Sequence, residues 1–158
     1  MNAYKYSIAY VACILAVNVG FVYVPPMPLF GEMWPPMSLL VGLIFVLRDF
    51  SQREIGHRVI GAMLIGALLS YYLADPFVAV ASVAAFLISE TADWLVYTWS
   101  KRPLHQRIVI SSAVGTPLDS TVFLAMIGYF SIGGVILMTL SKMVGAFAVL
   151  YWMRRRTA

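Results

Sequence analysis

Residues 108–129 read IVISSAVGTPLDSTVFLAMIGY, from Ile108 to Tyr129. The stretch is apolar over the ~20 residues a helix needs to cross a bilayer. Yet it holds Pro117 and Asp119 in its interior and follows Arg107 directly. Working outward, five comparable runs appear: Tyr6–Val24, Met37–Leu47, Val59–Leu73, Phe77–Trp99 and Ile132–Met153. The whole chain is 158 residues, 61% hydrophobic and only 11% charged. A soluble domain carries about 45–50% apolar and about 25% charged residues. So few charges cannot cover a water-exposed surface, and the same figures exclude disorder. The sequence therefore predicts an all-α integral membrane protein, a six-helix transmembrane bundle forming one domain over 1–158. Six spans use roughly 120 residues, which leaves no room for a soluble catalytic or nucleotide-binding domain.

The connections fit this reading. Pro25-Pro26-Met27-Pro28 ends the first run, and Pro35-Pro36 precedes the second. Proline stops one helix and starts the next at its first turn. The second run is short, so it is expected to borrow Met33 and Trp34 and to continue through Arg48-Asp49-Phe50. Asp75-Pro76 ends the third run. No strand alternation is visible. A signal peptide competes for the first run, because Lys5 precedes it, but no small-x-small cleavage site follows. Cys13 is the one cysteine and lies in an apolar run, so neither a disulfide nor a zinc pattern arises.

The net charge is +4, and its placement is regular. Lys5 precedes the first run. Arg48, Arg53 and Arg58 fall between the second and third. Lys101, Arg102 and Arg107 fall between the fourth and fifth, and Arg154, Arg155 and Arg156 follow the sixth. Only Lys142 lies elsewhere. The positive-inside rule then puts both termini in the cytoplasm. The basic balance reflects topology, so no nucleic-acid partner is expected.

Three ionisable residues lie deep in the runs. By helix rise, Glu90 is roughly 16 Å from the basic edge, and Asp119 and Lys142 are each roughly 18 Å in. The hydrocarbon is ~30 Å thick. All three reach one level near the midplane, which suggests a shared polar pocket. Asp93 follows Glu90 on the same helix face. A structural staple of Lys142 on one acid competes with this reading, since buried charge demands pairing anyway. Three acids against one lysine, however, leave an excess that a dry interior does not hold. Protons on the acids, or water and a substrate's hydrogen-bond donors, must compensate.

Ser112, Thr116, Asp119 and Phe123 form one helical stripe. Pro117 frees the carbonyl of Ala113, giving either an ordinary kink or a broken helix of the kind that forms transporter sites. Asn18 is an interior polar group or packing glue. Trp34, Trp99 and Trp152 fit interfacial belts, whereas Trp94 lies deeper and could face a ligand. Arg48, Asp49, Arg53 and Glu54 cluster at the end of the second helix, as gating residues or as a solvated helix end. Ala12/Ala16 and Ala62/Gly66 permit close helix contact. His57 and His105 form no metal constellation. No cofactor or metal is predicted, and no enzyme motif appears.

Asn18 with the Pro-rich loop, Ile44-Phe45 through Arg48-Asp49 to Arg53 and Gly56, Glu90 with Asp93, Ser111/Ser112 with Gly115 and Asp119-Ser120, and Lys142 together resemble the VUT-type queuosine precursor transporters. The resemblance runs from the first helix to the sixth. It implies a six-helix bacterial inner-membrane protein that takes up 7-cyano-7-deazaguanine or 7-aminomethyl-7-deazaguanine. The family's polar positions would fall on Asn18, Asp49, Arg53, Asp93, Asp119 and Lys142. Such a base offers a flat ring, N–H donors and a carbonyl. Glu90 or Asp119 could accept from it, Lys142 or Asn18 could donate, and Phe123 or Trp94 could stack on it. Asp49 and Arg53 would then serve gating or coupling. Partners are the base and the lipid bilayer, with a homodimer left open. The alternative is the substrate-binding membrane subunit of an energy-coupling-factor importer, which needs an ATPase partner.

Overall fold

The computed structural model describes residues 4–73 and 76–157. Six α-helices are present among them: α1 (Lys5–Tyr23), α2 (Ser38–Ile55), α3 (Val59–Leu73), α4 (Pro76–Trp99), α5 (Leu104–Met126) and α6 (Ile132–Thr157). The turn at Asp75 lies outside the described residues, as do the side chains of His105, Arg154, Arg155 and Arg156. Five segments have the length and hydropathy of membrane spans, and one of these, the 36-residue Ser38–Leu73, holds both α2 and α3.

Side-chain placement is the reverse of a soluble protein's. Arg48, Asp49, Glu90, Asp93, Asp119 and Lys142 are all buried, while Ile65, Leu68, Ile136, Val144 and Phe147 point outward. Water would penalise that exposed apolar surface. Hydrocarbon accepts it and instead requires backbone groups to bond internally, as these helices do. The chain is an all-α membrane protein.

The helices assemble around α1. Gly20 meets Met37 at one end of α1, and Ser7 bonds to Ser51 and Glu54 at the other, so α2 runs antiparallel to α1. A single 3-10 turn, Gly56–Arg58, then reverses the chain. Gly56 has φ +62°, a conformation that costs a Cβ-bearing residue more than glycine. α3 starts beside Ser7 and has reached Ile14 by Gly66, so it runs parallel to α1 on the side opposite to its own neighbour in sequence. Glu54 accepts the N–H groups of Tyr6 (3.3 Å) and Ser7 (2.9 Å), two donors that the first turn of α1 leaves unpaired. Lys5, Arg53, Arg58, Lys101, Arg102 and Arg107 therefore gather at one end, the basic end.

One expectation is corrected, and one open alternative is decided. Met33 and Trp34 do not extend α2; they lie in a short antiparallel hairpin, β1 (Met27–Leu29) against β2 (Glu32–Trp34). The Phe30-Gly31 turn has positive φ at both positions, the geometry that joins two strands by two residues. Pro35-Pro36 then delays the helix to Ser38. The hairpin is held down by Glu32, which accepts from Ser131, the residue whose hydroxyl also caps the N–H of Gly134 at the start of α6. Trp34 Nε1 donates to Ser141 Oγ at 2.8 Å. Of the two alternatives at Pro117, α5 takes the unbroken one and stays continuous. Thr116 and Ser120 bond back to the carbonyls of Ser112 (2.7 Å) and Thr116 (2.8 Å), so the polar side chains themselves occupy the helix carbonyls.

Helices α2 and α6 touch backbone to backbone at Gly42 and Gly145. A Cβ on Gly42 would lie 2.0 Å from the Lys142 carbonyl oxygen, and one on Gly145 would lie 1.9 Å from that of Leu39. No rotamer change relieves a clash with backbone. Gly42→Ala is expected to lower the unfolding temperature in detergent, with a loss of about 1–3 kcal/mol. Gly61→Ala, where the added methyl meets open space, should leave it unchanged. Equal behaviour of the two variants would contradict this packing.

Candidate functional site

The buried polar groups form two adjoining centres along α4. The first lies nearer the hairpin. Asn18 on α1 donates to the Ile14 carbonyl at 2.9 Å and accepts from Ser82 on α4. Beside it, Asp119 on α5 pairs with Lys142 on α6, which also donates to Ser120 Oγ at 2.9 Å. Ser89 on α4 donates to the other Asp119 oxygen at 3.2 Å. Asn18, Ser82 and Asp119, with Val17, Phe21, Val41, Ile44, Phe86, Phe123 and Met138, enclose a cavity of about 20 Å³. That is room for roughly one water molecule. Phe21 and Phe123 lie ring to ring at 5.4 Å along its wall.

The second centre is one to two turns closer to the basic end, and Arg48 is its hub. This guanidinium is 1% exposed. Nη1 lies 2.8 Å from Asp49, Nη2 pairs with Asp93, and Nε is 3.6 Å from Glu90. Nη1 also donates to Gln52 at 2.9 Å, and Gln52 donates to Thr98 at 2.9 Å. Ser111 donates to Asp49 at 2.9 Å and Tyr10 to Glu90 at 2.7 Å. The Tyr97 ring lies against both Arg48 and Arg107, at 5.8 and 5.4 Å.

The residues singled out in the sequence thus fall in several places. Asn18, Asp119 and Phe123 share the cavity, and Lys142 stands behind Asp119. Glu90 and Asp93 turn toward Arg48 instead, while Ser89, the residue before Glu90, bonds to Asp119. Ser112 and Thr116 are buried but do not line the cavity. Trp94 packs edge-on against His57 at 5.6 Å, near the basic end. Asp49 is fully buried, whereas Arg53 on the same helix is exposed.

Arg48, Tyr10, Ser82 and Ser89 join the interior polar groups without having stood out as such in the sequence. A signal for Arg48 existed. Val41, Ile44, Phe45, Arg48, Asp49 and Gln52 continue one helical stripe, and all six are buried. The charged pair extends a core face and is no solvated end. Tyr10 carried no such signal, because an aromatic residue in an apolar run reads as packing.

Removing one partner of a buried ion pair costs more than removing both, because the survivor stays desolvated. Lys142→Met should therefore destabilise the protein by about 3–5 kcal/mol, measured as denaturant or thermal unfolding in detergent. Lys142→Met with Asp119→Leu should recover a large part of that loss. An additive outcome would mean that the two side chains are not coupled.

No curated protein and no solved structure matches this chain. A sequence-family profile described as "Putative vitamin uptake transporter" matches residues 36–154. That span takes in α2 to α6, and with them Arg48, Asp49, Glu90, Asp93, Asp119 and Lys142. A bundle that surrounds such a charged interior with hydrocarbon-facing side chains is what a membrane carrier of polar solutes requires, and the chain belongs to the vitamin uptake transporter family.

Proposed function

We propose that this protein takes up a queuosine precursor, 7-cyano-7-deazaguanine or 7-aminomethyl-7-deazaguanine, across the bacterial inner membrane. In this reading all six helices cross the bilayer, with both termini and the basic end in the cytoplasm and the hairpin outside. The carrying observation is the cavity between α1, α4 and α5, where Asn18, Ser82 and Asp119 sit among Phe21, Phe86 and Phe123. The Asp119 carboxylate can accept from the N1–H and amine edge of the base. The Asn18 amide offers both a donor and an acceptor. The rings supply faces for an aromatic bicycle. A deazapurine is several times larger than the cavity, so loading requires α1 and α5 to part. Lys142 holds the charge of Asp119 in place until the base's donors reach it.

A second reading rests on one observation. An apolar groove runs between α1 and α3, lined by Val11, Ala12, Leu15, Gly61, Ala62 and Ile65, and Ala12 and Ala16 are exposed. Such a small-residue face suits docking of another membrane helix, as in a substrate-binding subunit served by an ATPase. Uptake by the purified chain alone in liposomes separates the two, since the subunit would need its partner.

The function is tested in a bacterium unable to make queuosine precursors, by supplying each base and scoring queuosine in tRNA. Expression of this chain should restore it. Asp119→Asn and Asn18→Ala should each weaken uptake at least about tenfold, the cost of one lost hydrogen bond to a buried partner. No rescue by the unmodified chain would refute the substrate. Orientation is tested in a Cys13→Ala background: a cysteine at Pro28 should react with an impermeant reagent from outside, and one at Arg102 should not.

A further inference from the structure

The two centres differ in charge. Lys142 and Asp119 balance one to one. Among the described residues, Arg48 is the one cation within ion-pair distance of Asp49, Glu90 and Asp93, all three 0% exposed. The excess of buried negative charge therefore belongs wholly to the Arg48 centre. The three acids there are unequal. Asp49 has the Arg48 contact at 2.8 Å and a Ser111 donor. Asp93 is held directly by Nη2. Glu90 is farthest from the cation, at 3.6 Å, and its Oε2 already accepts from Tyr10. Its Oε1 is buried with no hydrogen-bond partner among the described residues; Asp49 Oδ1 and both Asp93 oxygens also lack one, but those two acids each have a closer contact with Arg48. A buried carboxylate that far from its cation is strongly disfavoured, whereas a carboxylic acid there is not. A metal cation is not the compensating charge, because the guanidinium already occupies the space between the three acids.

We propose that Glu90 binds an exchangeable proton, at a site separate from the cavity and from the Asp119–Lys142 pair. The groups facing it are Tyr10 from α1, Arg48 and Asp49 from α2, Asp93 and Tyr97 from α4, and Asp119 from α5, with Lys142 of α6 behind. With the proton in place, Arg48 neutralises Asp93 and shares Asp49, and Arg107 beyond Tyr97 adds positive charge at the basic end. When the proton leaves to water, Glu90 becomes a third anion and draws Arg48 away from Asp93. Both acids are on α4, but Arg48 is on α2, so the exchange shifts α2 against α4. Ser89, bonded to Asp119, is the neighbour of Glu90 and transmits that shift to the cavity. For the uptake reading this supplies the coupling ion, and only in that respect does it rest on the reading.

Infrared spectroscopy of the full chain in lipid nanodiscs, without substrate, tests the site directly. At neutral pH the unmodified protein should show the carbonyl stretch of a protonated carboxylic acid, shifted in D2O. Glu90→Gln should abolish that band, and Asp119→Asn should leave it. Tyr10→Phe, which removes only the donor to Glu90, should move the band to higher frequency, so the assignment stands on a second variant if the first does not fold. Absence of the band in the unmodified protein, or its loss with Asp119→Asn and persistence in Glu90→Gln, overturns the proposal. A failure of tRNA rescue leaves this spectroscopic result untouched and counts against the substrate alone. In liposomes that take up the base, an imposed pH gradient should raise accumulation. Indifference to the gradient would overturn the coupling role.

Discussion

The interaction on which the rest depends is that of one guanidinium with three carboxylates inside a bundle bathed in hydrocarbon. Arg48 cannot leave its charge unpaired there, and lipid offers nothing to pair it with. Asp49, Glu90 and Asp93 must be within reach, and this fixes α2 against α4 in both depth and rotation. Tyr10 on α1 and Ser111 on α5 complete the shell. Four helices are thus keyed to one side chain. The Gly42 and Gly145 contact then sets α6 against α2 at backbone distance. That closeness lets Lys142 reach Asp119 across the cavity wall.

In the proposed reading, the electrostatics separate two tasks. The Asp119–Lys142 pair is neutral as a unit and borders the cavity with aromatic rings, which suits recognition of a flat, donor-rich solute. The Arg48 centre is unbalanced and lies between the cavity and the basic end, which suits a charge-sensitive latch. Balanced charge can stay ionised through a cycle, whereas unbalanced charge must exchange something. Glu32 and Glu54 use acids differently: each meets the start of a helix, where the free N–H groups already favour an anion. Among the described acids, Glu54 caps α1, Glu32 holds the Ser131 hydroxyl that caps α6, and four build the interior.

Much of the fold was legible from composition and period. The apolar runs correspond to α1 and α3–α6 within a few residues at most ends, because hydrocarbon demands apolar length and proline or charge marks the limits. Chain reversal at Gly56 follows from the basic residues around it. The hairpin was not legible: its strands are three residues each, too short for alternation to register, and its turn is Phe30-Gly31, not a familiar Asn-Gly. The continuity of α5 was undecided for a related reason. Proline breaks one hydrogen bond, and whether a helix then opens depends on neighbours that sequence does not display.

By itself, the sequence determined the membrane class, the interior position of Glu90, Asp119 and Lys142 along their helices, and the resemblance to the vitamin uptake transporters. Each follows from counting along one helix, where rise and period are constant. Only the tertiary structure decided which acid meets which cation. Rotation about each helix axis sets partner choice, and rotation is decided by packing: Gly42 on α6, Gly66 on Ile14, Gly115 on Phe45 and Asp93. That packing turned Glu90 to Arg48 and left Asp119 to Lys142. It also placed Arg48 in the interior, although in the sequence it stands at the head of a charged cluster that reads as a helix end.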